Sequence, residues 1–190
     1  KIPKPLQIYT DRINSKGLDL SEENTIEKLN STIFKKQISA FSIIDGKDLK
    51  SDNINDIISP QTGKIIGQKF FADIKIVDGA INSLKEYSNK WRKYPIESKI
   101  EIFENFAKLI EENTNEIIKI GAKESGKSIK NSIAEIREAV DFCRYYSKEA
   151  SNIFKEKILQ GPTGELNKYK LIGKDLSLVI SPWNFPVAIF

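Results

Sequence analysis

The sequence predicts an α/β fold that is predominantly helical with a few short strands. Apolar residues recur at three- and four-residue spacing in three long stretches, which is typical of amphipathic helices. Near the end of the chain an apolar run at 178–180 stops at Ser181 and Pro182. Because a residue before proline is held extended, this run predicts a buried strand that ends in a fixed turn at Trp183 and Asn184. In open α/β sheets, ligands bind at the carboxyl ends of strands.

The composition excludes several classes of protein. The 190 residues are 39% hydrophobic and 29% charged, which suits one globular domain or slightly more. No run approaches the roughly eighteen apolar residues of a membrane span, and no basic and apolar leader opens the chain, so we expect a cytoplasmic protein.

The charge pattern argues against nucleic acid, and the ligand inventory argues against zinc. The formal net charge is +4, but basic and acidic side chains are interleaved and form no clustered stripe. With one cysteine and no histidine, the chain lacks the ligands of a zinc site, and we expect no metal.

The first third of the chain predicts one helix between irregular segments. Residues 1–17 contain two early prolines and predict an extended lead-in that packs on another part of the protein. Ser21 is placed to cap a helix with two glutamates in its first turn, and Ile33 falls on the apolar face of that helix. Residues 41–58 are rich in Gly, Asp, Asn and Ser and predict a surface loop.

The middle of the chain predicts two short strands followed by helices. The strands are expected at residues 65–66 and 70–71. Asp73 is placed to cap the next helix, and Pro95 opens the one after it, where the missing N–H of proline costs nothing. The buried stripe of that second helix is predicted to comprise Ile100, Phe103, Phe106, Ala107, Ile110 and Ile117.

The last long helix is predicted to begin at Ser128 and to be covered on two sides. One side carries an apolar stripe that includes Cys143, while Glu138, Phe142 and Tyr145 project from a different side. Cys143 lies on the stripe with no histidine to activate it, so we interpret it as an inert core thiol rather than a nucleophile. From spacing alone, Glu138 is interpreted as a member of a surface pair with Arg137, Arg144 or another neighbour on the helix.

Residues 121–128 (GAKESGKS) match a Walker A motif formally. Phosphate binding by this motif requires a preceding strand that aims the glycine-rich loop at a helix N-terminus. Residues 100–120 instead keep helical periodicity for about six turns, too long for a strand. We therefore predict a helix C-cap at Gly126 followed by a new helix.

Several segments together resemble a known family. The string SPWNFP at 181–186 resembles the motif of the aldehyde dehydrogenase superfamily, in which Trp, Asn and two prolines coincide. Residues 8–29, 59–67 and 123–146 resemble the C-terminal dehydrogenase half of the bifunctional proline utilisation flavoenzymes, PutA. The segment NSKGLDLS at 14–21 is similar to the sequences of that group and not to those of ordinary aldehyde dehydrogenases.

The resemblance implies the N-terminal part of an L-glutamate γ-semialdehyde (1-pyrroline-5-carboxylate) dehydrogenase, an enzyme of proline catabolism. It divides the chain into four parts. These are a lead-in and helix at 1–58, the helical part of the NAD-binding domain at 59–160, oligomerisation-arm strands at 161–175, and the first strand and turn of the cofactor-binding fold at 176–190.

The resemblance also implies roles for individual residues. Asn184 would donate a hydrogen bond to the oxyanion that forms when a cysteine attacks the aldehyde. Glu138, in EAVDF, would pair with the ammonium group of the substrate, and Phe185 would flank its aliphatic chain. The residues that would line the NAD cleft near the nicotinamide and its ribose are Ile180, Ser181, Pro182 and Trp183.

The implied cofactor is NAD, with FAD present only if a proline dehydrogenase half precedes this region. The implied partners are an amino-acid aldehyde, the remainder of the dehydrogenase and a second subunit in a homodimer. The family's catalytic cysteine segment, its water-activating glutamate and the remaining cofactor loops are missing here, so we expect the isolated chain to be inactive. The absence of methionine and an end inside an apolar run predict a piece of a longer polypeptide.

Two alternatives from other classes remain open at this point. One is a nucleotide-triphosphatase that uses the Walker-like string, which a preceding strand would support. The other is a non-catalytic helical interaction module split from the enzyme.

Overall fold

The computed structural model describes residues 2–31 and 38–190, and in this part of the chain it contains five α-helices. They are α1 (Glu23–Ser31), α2 (Ile74–Lys93), α3 (Ile96–Glu112), α4 (Thr114–Ser125) and α5 (Ile129–Ile153). None of these helices is long and apolar enough to cross a membrane. The predicted position of Ile33 on the first helix lies outside the described residues.

The strands of the described residues are short and form three separate sheets. They are β1 (Ile38–Ala40), β2 (Ser42–Ile44), β3 (Lys47–Leu49), β4 (Ile54–Ile58), β5 (Ile65–Phe70), β6 (Lys157–Leu159) and β7 (Asn167–Tyr169). In the largest sheet β5 is central, with β1 parallel on one side and β4 antiparallel on the other. The mixed helix and strand content confirms the predicted fold class.

The surface loop predicted for 41–58 is wrong, because this segment contains three strands. β2 and β3 pair as an antiparallel hairpin across Asp45 and Gly46, whose φ angles are 51° and 71°. Positive φ at both central residues is what a tight two-residue hairpin turn requires, and Asp-Gly is among the sequences that favour it. The predicted strands at 65–66 and 70–71 belong to the single strand β5, which begins at Ile65 and ends at Phe70, one residue before the predicted end.

The helix starts follow the predicted caps in α2 and α5 but not in α1. Asp73 accepts a hydrogen bond from the backbone N–H of Ile76 at 2.8 Å, and the Ser128 hydroxyl likewise accepts one from the N–H of Asn131. Ser21 does not directly precede α1, which begins at Glu23, and its backbone N–H and its hydroxyl both donate to the carboxylate of Asp19. Asp19 thus orders the turn before the helix, which begins two residues after Ser21.

The core is a helical layer in which α3 packs along α5. Its buried members are Leu29, Ala107, Ile110, Ile118, Ile136, Ala139 and Val140. The stripe predicted for the second helix is only partly buried, since Phe103 and Phe106 are about half exposed. That stripe is also divided between two helices, because α3 ends at Glu112 and α4 begins at Thr114, with only Asn113 between them.

Residues 14–16, which precede α1, are held against α3 and α5 by charged side chains. The backbone N–H and the hydroxyl of Ser15 donate to the two carboxylate oxygens of Asp141 at 2.8 and 2.7 Å. The N–H of Lys16 donates to Glu111 at 2.9 Å, and Arg144 donates to both oxygens of Glu111 at 3.1 and 2.9 Å. Arg144 also reaches the carbonyl oxygen of Asn14.

Glu111 makes this docking sensitive to pH. Its partial burial alone would raise the pKa of the carboxyl group, but hydrogen bonds from Arg144 and from the backbone of Lys16 outweigh that cost, and the pKa lies below its ordinary value of 4.5. A depressed folded-state pKa contributes stability that is complete above the unfolded-state pKa and is lost as pH falls through the folded-state pKa. Glu111 therefore stabilises the fold at neutral pH and loses this contribution in acid.

We expect Glu111→Gln to lower the free energy of unfolding by about 2 kcal/mol at pH 7, because hydrogen bonds to a charged acceptor are lost from a mostly buried site. The difference should shrink in acid, as pH falls through the lowered folded-state pKa of Glu111 and the native carboxyl is protonated as well. Urea unfolding at pH 7 and in acid measures it. Glu112→Gln is the matched control, since Glu112 makes only an exposed ion pair with Lys108 and its loss should cost under about 0.5 kcal/mol. An equal loss for Glu111→Gln at both pH values would contradict the assignment.

The predicted C-cap at Gly126 is confirmed. Gly126 has a φ of 70°, its N–H donates to the carbonyl of Ala122, and the N–H of Lys127 donates to the carbonyl of Gly121. A left-handed residue followed by two such bonds is a common helix C-terminus, and glycine takes that conformation without a steric cost.

We expect Gly126→Ala to destabilise the chain by about 1 kcal/mol, because a β-carbon is unfavourable in the left-handed region. A steric clash with neighbouring atoms is not the cause, since an added β-carbon would lie at an ordinary contact distance of 3.6 Å from Pro60. Gly79→Ala is the opposite control, because Gly79 lies inside α2 in open space and alanine should stabilise the helix by about 0.5–1 kcal/mol. Thermal unfolding of both variants tests the pair, and a shift of the same sign in both would refute it.

The candidate active-site turn

The candidate site is the turn at 182–186, which follows a segment that departs from the prediction. Residues 176–180 form no strand within the described part of the chain, and the side chains of Leu178, Val179 and Ile180 are 88%, 75% and 86% exposed. The prediction of a buried strand here is therefore wrong for this chain. A strand forms only against a neighbouring strand, and the described residues place none beside this segment.

The predicted turn itself is present. Trp183 and Asn184 occupy it, the N–H of Phe185 donates to the carbonyl of Pro182 at 3.4 Å, and the N–H of Ile189 donates to the carbonyl of Phe185. Trp183 is 89% exposed, so its indole ring is open to a ligand or to another part of a protein. Pro182 and Pro186 bracket the turn and restrict its backbone.

Glu135 on α5 anchors the chain after this turn. Its side chain is 4% exposed, and one carboxylate oxygen accepts hydrogen bonds from the backbone N–H groups of Val187 at 2.8 Å and Ala188 at 3.3 Å. A buried carboxylate is costly unless it is paired and hydrogen-bonded. This carboxylate is satisfied by the turn segment and by one lysine.

That lysine is Lys127, which lies between the C-cap of α4 and the N-cap of α5. Its ammonium group pairs with the second carboxylate oxygen of Glu135 and also donates to the carbonyl oxygen of Asn184 at 3.3 Å. The same nitrogen lies 5.7 Å from the centre of the Phe185 ring, within the range of a cation–π contact. Lys127 therefore touches two successive residues of the turn as well as its anchor.

Our sequence reasoning missed both Lys127 and Glu135 as parts of this site. The sequence did contain a sign of the role of Glu135. This glutamate falls at helical spacing on the stripe of α5 that also contains the buried residues Ser132, Ile136 and Ala139. A carboxylate on an otherwise buried face requires a partner. The partner could not be identified from the sequence, because the turn that supplies it is about fifty residues away along the chain.

The hypothesis that Lys127 belongs to a phosphate-binding loop is wrong. The element before it is α4, and most of the GAKESGKS string lies within that helix rather than in a loop after a strand. Backbone N–H groups that are bonded inside a helix are not available to phosphate oxygens.

Glu138 lies on α5 one turn after Glu135 and on the surface. It lines a concavity together with Arg12, Phe142 and Tyr145, so the predicted separate side of the helix exists. Among the described residues Glu138 forms no ion pair, which removes the interpretation that it is a helix-surface partner of Arg137 or Arg144. At 1.5 Å of rise per residue, Glu138 and the turn anchor Glu135 are separated by roughly 4.5 Å along the helix axis.

Cys143 is half-buried and packs against the helical core. Burial raises the pKa of its thiol, and the nearby Glu104 carboxylate raises it further. A raised pKa keeps the group a protonated thiol at neutral pH, which agrees with its interpretation as a core residue and not a nucleophile.

The chain resembles known proteins in sequence over most or all of its length. Residues 48–190 match the model of the aldehyde dehydrogenase family. The bifunctional protein PutA of Salmonella typhimurium is 30% identical over 194 aligned residues, covering 100% of this chain and 14% of that protein. The 1-pyrroline-5-carboxylate dehydrogenase of Staphylococcus haemolyticus is 28% identical, covering 93% of this chain and 35% of that protein.

The fold is similar to that of a solved relative. The crystal structure of PutA from Bdellovibrio bacteriovorus superposes with a TM-score of 0.87 at 26% identity, covering 100% of this chain and 20% of that one. The chain therefore spans a fraction of the length of these relatives. Since the family model matches well over half of its residues and the fold is shared over its whole length, the chain belongs to the aldehyde dehydrogenase family.

Proposed function

We propose that this chain acts within a longer PutA-type polypeptide that oxidises L-glutamate γ-semialdehyde, formed from 1-pyrroline-5-carboxylate, to L-glutamate. The observation that carries the proposal is the extent of the similarity. It reaches residues before 48, which lie outside the match to the general family model, and there the relatives are PutA and 1-pyrroline-5-carboxylate dehydrogenases. In this chain those residues include the lead-in that Asp141 and Glu111 hold in place.

Asn184 is the residue that we assign to oxyanion stabilisation. Its side-chain amide can donate a hydrogen bond, and its backbone is held by Lys127 and by the turn between two prolines. A donor that is fixed before the reaction stabilises developing negative charge without a reorganisation cost. When a cysteine of the complete enzyme attacks the aldehyde carbon, the C=O π electrons move to the oxygen, and that negative charge is what this donor would stabilise.

Glu138 is the residue that we assign to recognition of the substrate ammonium group. Its carboxylate is exposed, has no ion-pair partner among the described residues, and lies beside the apolar rings of Phe142 and Tyr145. A carboxylate next to apolar surface attracts a cation more strongly than one in bulk water. Phe185, on the turn, would contact the aliphatic chain between the ammonium group and the aldehyde.

Residues 180–183 fit a nicotinamide cofactor in their chemistry. The side chains of Ile180 and Trp183 are almost fully exposed and offer apolar surface to the nicotinamide ring. Residues 176–180 form no strand pairing within the described chain, so their backbone groups are available to hydrogen-bond the ribose. Bound NAD would supply the hydride acceptor. FAD belongs to the protein only if a proline dehydrogenase half accompanies this region.

The amount of exposed surface supports a role within a larger body. The accessible surface is 14769 Å², whereas a compact protein of 21.6 kDa exposes about 9,200 Å². The apolar face of α2 contributes, with Ile74 at 81% and Leu84 at 53% exposed. We assign these faces to contacts with the rest of a cytoplasmic dehydrogenase. Strands β6 and β7 pair antiparallel with each other, and we assign this pair to contacts in a homodimer. The four-part division at 58, 160 and 175 belongs to the same proposal.

A non-catalytic interaction module is the second candidate, because the same exposed apolar faces could bind a partner. The two candidates differ in activity. We expect the purified 190-residue chain to form no NADH from the semialdehyde, and the complete dehydrogenase polypeptide that contains it to form NADH. Absorbance at the NADH band measures both. A complete polypeptide without activity would favour the interaction module, and activity of the 190-residue chain would refute our assignment of the catalytic cysteine to another segment.

In the complete polypeptide we expect Asn184→Ala to lower kcat by about 100-fold, the usual effect of removing one oxyanion donor. The KM for NAD should change little, because the side chain acts on the transition state and not on the cofactor. Steady-state rates with the semialdehyde measure both quantities. An unchanged kcat would exclude Asn184 from the reaction.

We expect Glu138→Gln to raise the KM for L-glutamate γ-semialdehyde by about tenfold, since a charged hydrogen bond to the ammonium group is weakened. An aliphatic aldehyde without an ammonium group is the internal control, and its KM should not change. Glu101→Gln, at an exposed position of α3, is the control variant. Equal effects of Glu138→Gln on both aldehydes would rule out ammonium recognition.

A further inference from the structure

Lys127 lies in the GAKESGKS string that resembles a phosphate-binding motif. In the structure it instead contacts the candidate turn and Glu135. It is mostly buried, with 18% of its side chain exposed, and its ammonium group points at the candidate turn instead of at a loop of free N–H groups. Its partner Glu135 is almost fully buried. Lys127 contacts the backbone carbonyl of Asn184, which is separate from the side-chain amide that would donate to the substrate.

The two side chains tie the turn at two points. Lys127 holds the carbonyl oxygen of Asn184 at 3.3 Å, and Glu135 holds the N–H groups of Val187 and Ala188 at 2.8 and 3.3 Å. The ion pair between Lys127 and Glu135 joins these two attachments into one unit. The backbone before Pro186 and the backbone after it are therefore fixed to the same point of α5.

We propose that Lys127 and Glu135 are positioning residues that fix the direction of the Asn184 side-chain amide. The inference rests on the proposed function, in which that amide stabilises the oxyanion. A buried ion pair is stable only when both charges and their remaining hydrogen-bonding sites are satisfied together, and here the turn backbone satisfies them. The turn consequently has one favourable position on α5, and preorganisation of Asn184 follows from it.

The first test measures the turn directly in the ¹⁵N-labelled 190-residue chain and needs no substrate. The readouts are hydrogen exchange of the Val187 and Ala188 amides and the side-chain amide resonance of Asn184, with the amide of buried Val140 as an internal reference. In Lys127→Met we expect the Val187 amide to exchange at least about tenfold faster and the Asn184 resonance to shift, while Val140 keeps its protection. Lys127→Arg retains the charge and should restore part of the protection.

Two further variants keep the test decisive. Lys127→Met leaves Glu135 as an unpaired buried charge and can unfold the chain, so the double variant Lys127→Met/Glu135→Gln removes both charges together and preserves the core. Lys130→Met is the matched control, since Lys130 is an exposed lysine in the first turn of α5. Unchanged Val187 exchange and an unchanged Asn184 resonance in a folded double variant would overturn the proposal.

The second test asks whether the pair acts through Asn184. In the complete dehydrogenase polypeptide we expect Lys127→Met to lower kcat at least about tenfold, and the double variant Lys127→Met/Asn184→Ala to be no slower than Asn184→Ala alone, because positioning has no effect when the positioned group is absent. Additive losses, or an unchanged kcat in Lys127→Met when Asn184→Ala is slow, would overturn the inference. A normal kcat in Asn184→Ala would instead refute the assignment of Asn184 to oxyanion stabilisation, and the exchange measurement would still decide whether the pair holds the turn.

Discussion

The buried carboxylate of Glu135 is the constraint on which the arrangement of the site depends. Two backbone N–H groups and one lysine must converge on it, because an unpaired charge in the helical layer would cost several kcal/mol. The lysine is brought there by the left-handed cap at Gly126, which ends α4 and directs the chain into α5. Lys127 thus couples the end of α4, the buried carboxylate of Glu135 and the distant turn. Glu138 follows Glu135 by one turn on the same helix.

The parts of the fold that depend on local rules could be predicted from the sequence. Asp73, Gly126 and Ser128 each end or start a helix through bonds within a few residues, and the structure has all three. The hairpin at Asp45 and Gly46 was missed although its signal is local, because polar composition was given more weight than the Asp-Gly turn. The prediction of a cap at Ser21 is wrong, because α1 begins two residues later and the Ser21 hydroxyl donates to Asp19 instead.

The parts that depend on distant partners could not be predicted in the same way. The apolar run at 178–180 has the composition of a buried strand, yet strand formation requires a neighbour that composition does not specify, and the run is exposed. The convergence of Lys127, Glu135 and the turn likewise depends on a contact between residues about fifty positions apart. The prolines at 182 and 186 predicted the turn, whereas its attachment to α5 depends on contacts that only the three-dimensional structure shows.

We infer that this chain works as one segment of a larger dehydrogenase, and the decisive measurement is the intact mass of the protein isolated from its native cells. We expect a mass well above 21.6 kDa, in a polypeptide whose further sequence supplies a cysteine nucleophile. A native protein of 21.6 kDa would contradict it, because Cys143 is a core thiol with a raised pKa and no other cysteine is present in the sequence.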